Sequence, residues 1–397
     1  MFSHRQKTQT LLNPPDYIPL PSSPIGIYIH VPFCRKACYY CDFYFSVRKS
    51  WMESYTQALL EEIKAWEPWL KAQAVRTVYF GGGTPSWLSF RLLQKIMDAL
   101  QRCTIWQPVE ITLEANPEDI TRENLLFWRD LGINRLSLGV QSLSDEILQL
   151  LGRKATADIT RRAIELIGGV GWENWSVDVI FAVPGQTISL MAQELRYLAE
   201  KIQVPHISLY GLTIEPRTVL YKKQLRGRFE AISDEAYAEM YLFIHDFLGR
   251  YGYEHYEVSN WSRAGFHSRH NLAYWEGKPY VGLGPSAHSY ISPYRWWNKP
   301  DLREYMKQAV NIEVEKIDRR EMVLEWFMLR FRLSREIRWE DIPISQESLQ
   351  NLKFCASSWV ERGWVKLSSQ GISILPYGWL WLDTILKEVL ELVVHAA

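Results

Sequence analysis

Residues 29–45 read IHVPFCRKACYYCDFYF and place three thiols, Cys34, Cys38 and Cys41, within eight residues. The other two cysteines, Cys103 and Cys355, stand alone. Disulfide frameworks are not clustered like this in a chain of 397 residues. Deprotonated sulfur is a soft ligand that favours iron or zinc, so a metal-binding loop is the economical explanation. Structural zinc sites and ordinary ferredoxin clusters each take four protein ligands. Three thiolates on a four-iron cluster leave one iron to a ligand that is not protein, which is the arrangement of a catalytic site. A zinc site completed by His30 or Asp42 is the alternative reading.

Outward from this loop, short runs rich in β-branched residues alternate with longer helical patterns. Strands are expected at 26–29, 77–80, 109–113, 135–138, 176–180 and 206–209. Between the first two, Met52, Tyr55, Leu59, Ile63, Trp66 and Leu70 recur at three- and four-residue steps, the stripe of an amphipathic helix. Similar stripes run through 92–100, 124–131, 159–167, 190–202 and 236–248. Strand and helix repeated about six times imply an α/β fold with parallel pairing, a full or partial (β/α) barrel. Such barrels carry their chemistry at the carboxyl ends of the strands. GGGTP (Gly81, Gly82 and Gly83 onward) follows one strand, Glu114 ends VEITLE, Gln141 follows RLSLGV, and Asp178 sits inside VDVIF. A carboxylate inside an apolar strand is costly to bury unpaired, so Asp178 faces either a polar ligand or a partner such as an arginine. The glycines serve either a tight turn or close backbone approach to a ligand.

CxxxCxxC, preceded by Tyr28, His30, Pro32 and Phe33 and followed by Asp42 and Phe43, resembles the cluster loop of the radical S-adenosylmethionine (radical SAM) family. The narrower resemblance is to the branch of oxygen-independent coproporphyrinogen III dehydrogenase and of the heme chaperone HemW family, from about residue 25 to the C-terminus. It implies a partial (β/α)6 TIM-like barrel and a [4Fe-4S] cluster on Cys34, Cys38 and Cys41. S-adenosyl-L-methionine (SAM) would chelate the open iron and be cleaved to a 5′-deoxyadenosyl radical. Carried over residue by residue, the SAM pocket would contain Gly81, Gly82, Gly83, Glu114, Gln141, Arg153 and Asp178, with Tyr28 and Tyr40 beside the cluster. Arg217 stands where relatives usually have Gly.

Residues 253–290 hold four His, two Trp and five Tyr. Within them His270, Asn271, Tyr274 and Trp275 form HNxxYW. A neutral imidazole can ligate heme iron, and aromatic rings can pack on a porphyrin face, although a histidine among aromatics is commonly a core residue. The resemblance implies heme binding by these four residues, because HNxxYW is similar to the heme-binding motif of the HemW family. Residues 301–397 change character, with helical stripes at 322–329, 349–360 and 379–394 and a short hairpin through WVKLS and ISIL. They predict a small C-terminal helical, winged-helix-like domain, read as a lid or packing domain over the barrel at 25–300. Without a basic recognition helix there is no case for DNA contact.

Lys+Arg and Asp+Glu each total 45, so charge points to no nucleic-acid partner. Residues 1–24 are polar and Pro-rich, read as a flexible leader. No stretch approaches the roughly 18 apolar residues of a membrane span, and a reduced thiol cluster suits a cytoplasmic protein. Peripheral association with a membrane stays open. The resemblance implies a heme chaperone delivering heme to acceptor proteins, with an electron donor for the cluster. The alternative is an oxygen-independent coproporphyrinogen III oxidase (dehydrogenase) forming protoporphyrinogen IX. Phe43 stands where that enzyme has a further cysteine, the segment before the barrel is short, and HNxxYW is present; all three favour the chaperone. A radical SAM enzyme acting on an unrelated substrate is the third reading.

Overall fold

The computed structural model describes residues 9–11 and 13–394. Among them thirteen strands form one sheet: β1 (Gln9–Leu11), β2 (Ile25–Val31), β3 (Ala74–Gly82), β4 (Ile105–Ala115), β5 (Arg135–Gln141), β6 (Trp175–Phe181), β7 (His206–Gly211), β8 (Glu254–Glu257), β9 (Asn260–Ser262), β10 (Tyr280–Leu283), β11 (His288–Ile291), β12 (Tyr294–Asn298) and β13 (Ile312–Lys316). Their order across the sheet is β1-β13-β12-β11-β10-β2-β3-β4-β5-β6-β7-β9-β8. Strands β2 to β7 are parallel neighbours in chain order and are the six expected from sequence. In β2, IGIYIHV is buried at every position but Tyr28, as a strand covered on both faces must be. The sheet does not close on itself, so the barrel is partial.

Helices cross between these strands and start where side chains satisfy free amides. Thr121, Thr156 and Thr187 each accept a bond from the backbone N–H three residues on, a cap worth about 1 kcal/mol. The helix expected at 190–202 is α-helical over Ile188–Arg196 and then widens into a π-turn, Tyr197–Ile202, closed by Gln203 in the left-handed region. Half of the tryptophans are core: Trp66, Trp128, Trp261, Trp296 and Trp359 are among the largest fully buried side chains, and Trp66 stacks on Trp296 at 5.3 Å. Each such burial removes about 150–250 Å² from water, a gross transfer gain of roughly 4–6 kcal/mol before entropy is counted.

The edges differ from the sequence reading. A seventh parallel strand, β10, adds beside β2, and β11, β12 and β13 continue from it antiparallel. Residues 312–316 therefore belong to the main sheet, beyond the boundary expected at 301. Gln9–Leu11 pair with them, so part of the expected flexible leader is an edge strand, while residues 1–8 and 12 lie outside the described residues. Past the sheet, helices Arg319–Arg330, Gln346–Glu361 and Leu382–Val394 pack with a small sheet in the order Ile337–Arg338, Gly371–Ile374, Val365–Leu367. That is the expected helical unit with its hairpin. No described helix is long and apolar enough to cross a membrane.

One buried carboxylate ties the added strands to the barrel. Glu62, in helix Met52–Leu70, accepts bonds from Gly284 N (2.8 Å), Asn298 Nδ2 (2.7 Å) and Tyr305 Oη (2.6 Å). Burial raises its pKa to about 7 despite these donors. The turn between β10 and β11 is thereby held against the helix that follows the cysteine loop.

Candidate active site and adjoining aromatic cavity

The cysteine loop leaves the carboxyl end of β2 and is pinned by backbone bonds: Cys34 N to Ser46 O (3.0 Å), Tyr39 N to Leu151 O (2.9 Å) and Leu220 N to Tyr39 O (2.8 Å). Ion pairs brace it from outside, Arg35 with Asp119 and Asp42 with Arg217, the latter at 2.8 Å. Arg217 thus ties the segment after β7 to the loop, although an exposed pair of this kind adds little stability. The glycines of GGGTP pack against the loop's base. A Cβ on Gly83 would lie 2.7 Å from the backbone of Phe33, and one on Gly82, whose φ is +106°, would lie 2.6 Å from the His30 ring. Close approach between two strand ends is therefore one reason these positions are glycine.

All three thiols open onto a cavity of about 620 Å³ at the carboxyl ends of the parallel strands. Its wall also contains Tyr40, Gly82, Gly83, Glu114, Gln141, Arg153 and Asp178. Seven residues nominated from separate sequence segments thus meet the cysteines in one place. Gly81 and Tyr28 do not line it. Gly81 is enclosed by Tyr79, Glu114 and Tyr28, and Tyr28 faces a second cavity.

Polar side chains in this wall are ordered by one another. Glu114 accepts from Tyr79 Oη (2.8 Å) and Gly82 N (3.1 Å), and burial raises its pKa to about 7. Asp178 is met by serines from the flanking strands rather than by an arginine: Ser137 Oγ donates at 2.9 Å and Ser208 bonds from β7. Burial raises its pKa too. Gln141 stands at φ +65° on a bulge at the end of β5, a left-handed conformation that non-glycine residues keep mainly where surroundings impose it. Arg153, which a sequence would place among solvated loop charges, reaches Asn116 Oδ1 and Gly139 O, each at 2.8 Å, and the Cys38 sulfur at 3.6 Å. Its Nε is buried without a partner.

These features fit a thiolate-held cluster. Burial pushes the Cys34 thiol up to about 12 and raises Cys41 as well, so the sulfurs need a neutralising cation to become thiolates. Arg153 supplies one charge and a metal would supply the rest. Asn116 and Tyr79 were not singled out from sequence. Asn116 lies two residues past Glu114, just beyond the end of β4 in still-extended backbone, and that spacing was the available signal.

A second cavity, of about 730 Å³, adjoins the first and shares Phe43, Gly82 and Glu114 with it. Tyr274, Trp275, Tyr280 and Tyr290 form aromatic walls, and Met328 and Leu329 of the C-terminal unit close one side. Helix Arg269–Trp275 brings the HNxxYW residues there, its first amides capped by Glu110, which accepts from Arg269 N and His270 N at 2.9 Å. Tyr274 and Trp275 line the cavity, but His270 and Asn271 do not. His270 is buried, stacks on Tyr79 at 5.1 Å, and has both ring nitrogens engaged, Nδ1 with Thr77 Oγ1 (2.8 Å) and Nε2 with Tyr274 Oη (2.7 Å). Burial lowers its pKa to about 3. In this structure His270 is a core residue that orients Tyr274.

Comparison with known proteins agrees with this architecture. A family model described as the radical SAM superfamily matches residues 28–198. The heme chaperone HemW of Lactococcus lactis is 35% identical over 314 residues, covering 78% of this chain and 82% of that protein. HemW of Synechocystis sp. is 35% identical over 369 residues, 89% of each chain. HemW of Escherichia coli is 32% identical, covering 78% and 83%. Among solved structures, coproporphyrinogen III oxidase (HemN) from Escherichia coli, a radical SAM enzyme, superposes with a TM-score of 0.79 over 92% of this chain and 90% of that one, at 22% identity. That match reports the fold.

Proposed function

Since the chain belongs to the radical SAM superfamily, in its HemN-like branch and among the HemW heme chaperones, we propose that it binds heme and passes it to acceptor proteins while holding a [4Fe-4S] cluster and SAM. The observation that carries this reading is the adjacency of two cavities of different chemistry. One gathers three thiols and a ring of polar groups; the other is aromatic, of a size typical of small-molecule sites. Cys34, Cys38 and Cys41 would hold the cluster. When bound, it would offer SAM an open iron and an electron.

Around it, Glu114 and Asp178 would meet the positive end of SAM, Gln141 and the Gly82 backbone would fix its orientation, and Arg153 would balance the charge at Cys38. Tyr40, packed beside Arg153 and Cys38, would keep water from them. Gly83 would add its backbone to the wall, and Gly81 and Tyr28 would shape it from behind. In the second cavity Tyr274 and Trp275 would cover a porphyrin face. Lys278, exposed at its rim and making no ion pair among the described residues, would meet a propionate. His270 and Asn271 would act through the helix that presents the aromatics. An external electron donor is the further partner required.

Hemin titrated into anaerobically reconstituted protein is expected to bind saturably and then move to an apo-acceptor such as apomyoglobin. Coproporphyrinogen III supplied with SAM and a reductant is expected to remain unconverted. Protoporphyrinogen IX formed over many turnovers would overturn the chaperone reading in favour of the decarboxylase.

The Glu114 carboxyl makes SAM affinity pH-dependent, with a definite sign. Its pKa is about 7, so below that pH it must shed a proton before it can pair with a cation. Affinity should therefore weaken by up to about tenfold per pH unit below 7 and level off above it. Calorimetry at pH 6 and pH 8 checks this, and Glu114→Gln should flatten the profile. An equal affinity at both pH values in the wild type would remove Glu114 from the site.

A further inference from the structure

An iron-ligating side chain must reach the second cavity and offer a free lone pair. His270 meets neither condition, since it does not line the cavity and both its nitrogens are bonded. His30 lines the cavity, but its Nδ1 is engaged by Tyr28 Oη at 3.1 Å and its Nε2 by Tyr44 O at 3.0 Å. His288 meets both. It lies on β11 two residues before Tyr290, so strand alternation turns both side chains to the same side, and both line the cavity. Its ring is accessible, rests beside Trp297 at 5.7 Å, and makes no hydrogen bond among the described residues.

The backbone that carries His288 is also fixed in advance. The turn from Gly284 to Ala287 includes Ser286 at φ +69°, closes on itself through Ala287 N to Gly284 O (3.1 Å), and is bonded to Asn298 from both sides. Glu62 holds Gly284 and Asn298 together from beneath. A ligand placed on such a turn needs little reorganisation to meet an incoming metal.

We propose that His288 supplies the imidazole that ligates the iron of heme bound in the second cavity, with His270 acting only to position Tyr274. This rests on reading that cavity as the heme site, and the test separates the two claims. The full-length chain, anaerobically reconstituted, is titrated with hemin and followed by Soret absorption and electron paramagnetic resonance. The wild type should show a nitrogen-ligated ferric heme. His288→Ala should lose that signature and bind hemin roughly tenfold or more weakly, and added imidazole should restore the spectrum, which a misfolded variant would not allow. His288→Ala with the wild-type spectrum overturns the assignment. So does loss of nitrogen ligation in His270→Gln, a variant able to keep a hydrogen bond to Tyr274, or a tyrosinate spectrum abolished by Tyr274→Phe. A wild type that binds no hemin removes the heme reading itself, and with it this ligand.

Discussion

Cys38→Ala, reconstituted anaerobically with iron and sulfide, is expected to retain almost none of the about four irons per chain that a cubane requires. Two effects act together at this position. One of the three thiols that would hold the cluster is lost, and the carboxylates that share the cavity, Asp42, Glu114 and Glu118, are hard oxygen ligands that replace a thiolate on iron poorly. Arg153, meanwhile, loses the sulfur that its Nη1 faces at 3.6 Å, on a guanidinium whose Nε is already without a partner. A buried cation stripped of its counter-charge is costly, so the loop should loosen as well as lose its metal. Cys38→Ser separates the two effects: the hydroxyl can still accept from Arg153 but is a poor ligand for iron, so folding should recover while iron does not. Cys103→Ala and Cys355→Ala, which alter thiols away from the cavity, should keep the full complement. Iron retained in Cys38→Ala, or a single zinc in the wild type, would sink the assignment.

The barrel was legible because each of its strands is a short apolar run with helical periodicity on either side. Burial on both faces leaves that signature whatever the partner strand is. The added edge was harder. Gln9–Leu11 are three residues long and carry no pattern, so only their pairing with Ile312–Lys316 makes them a strand. IEVEK did alternate, with Ile312 and Val314 buried and the glutamates turned outward, but it was swept into the helical unit that follows. In the site, residues at strand ends were found by position: Glu114 and Gln141 both fall where the barrel rule puts chemistry. Arg153 was not evident from its own surroundings, since nothing local tells a loop arginine that Cys38 and Asn116 will fold around it. His270 shows what a motif leaves open. HNxxYW marks a helix that does present an aromatic face to a cavity, but one-turn spacing aims the His270 ring at Tyr274 rather than outward. His288 sits in HSYI, an ordinary strand pattern, and became visible only once the sheet placed β11 beside the helix's cavity.

Gly83→Ala is the second large effect expected, for a reason independent of metal chemistry. The backbone N and O of Phe33 would lie 2.7 Å from the new methyl group, and Gly83 N is bonded to Val31 O at 2.8 Å. Neither side can yield as a flexible side chain could, because backbone meets backbone. Overpacking of this kind costs about 1–3 kcal/mol, sometimes more, and the displaced residue here is the one before Cys34. Both the melting temperature and the iron content after reconstitution should therefore fall. Gly168→Ala is the matched control. Gly168 lies in helix Ala157–Gly169 with nothing within 4 Å of an added Cβ, so alanine should stabilise the chain by about 0.5–1 kcal/mol and leave iron untouched. If Gly83→Ala melts like the wild type and takes up a full cluster, the close packing of GGGTP on the cysteine loop does not position the thiols. The glycines would then be needed for ligand approach alone, which SAM binding by the same variant would read out directly.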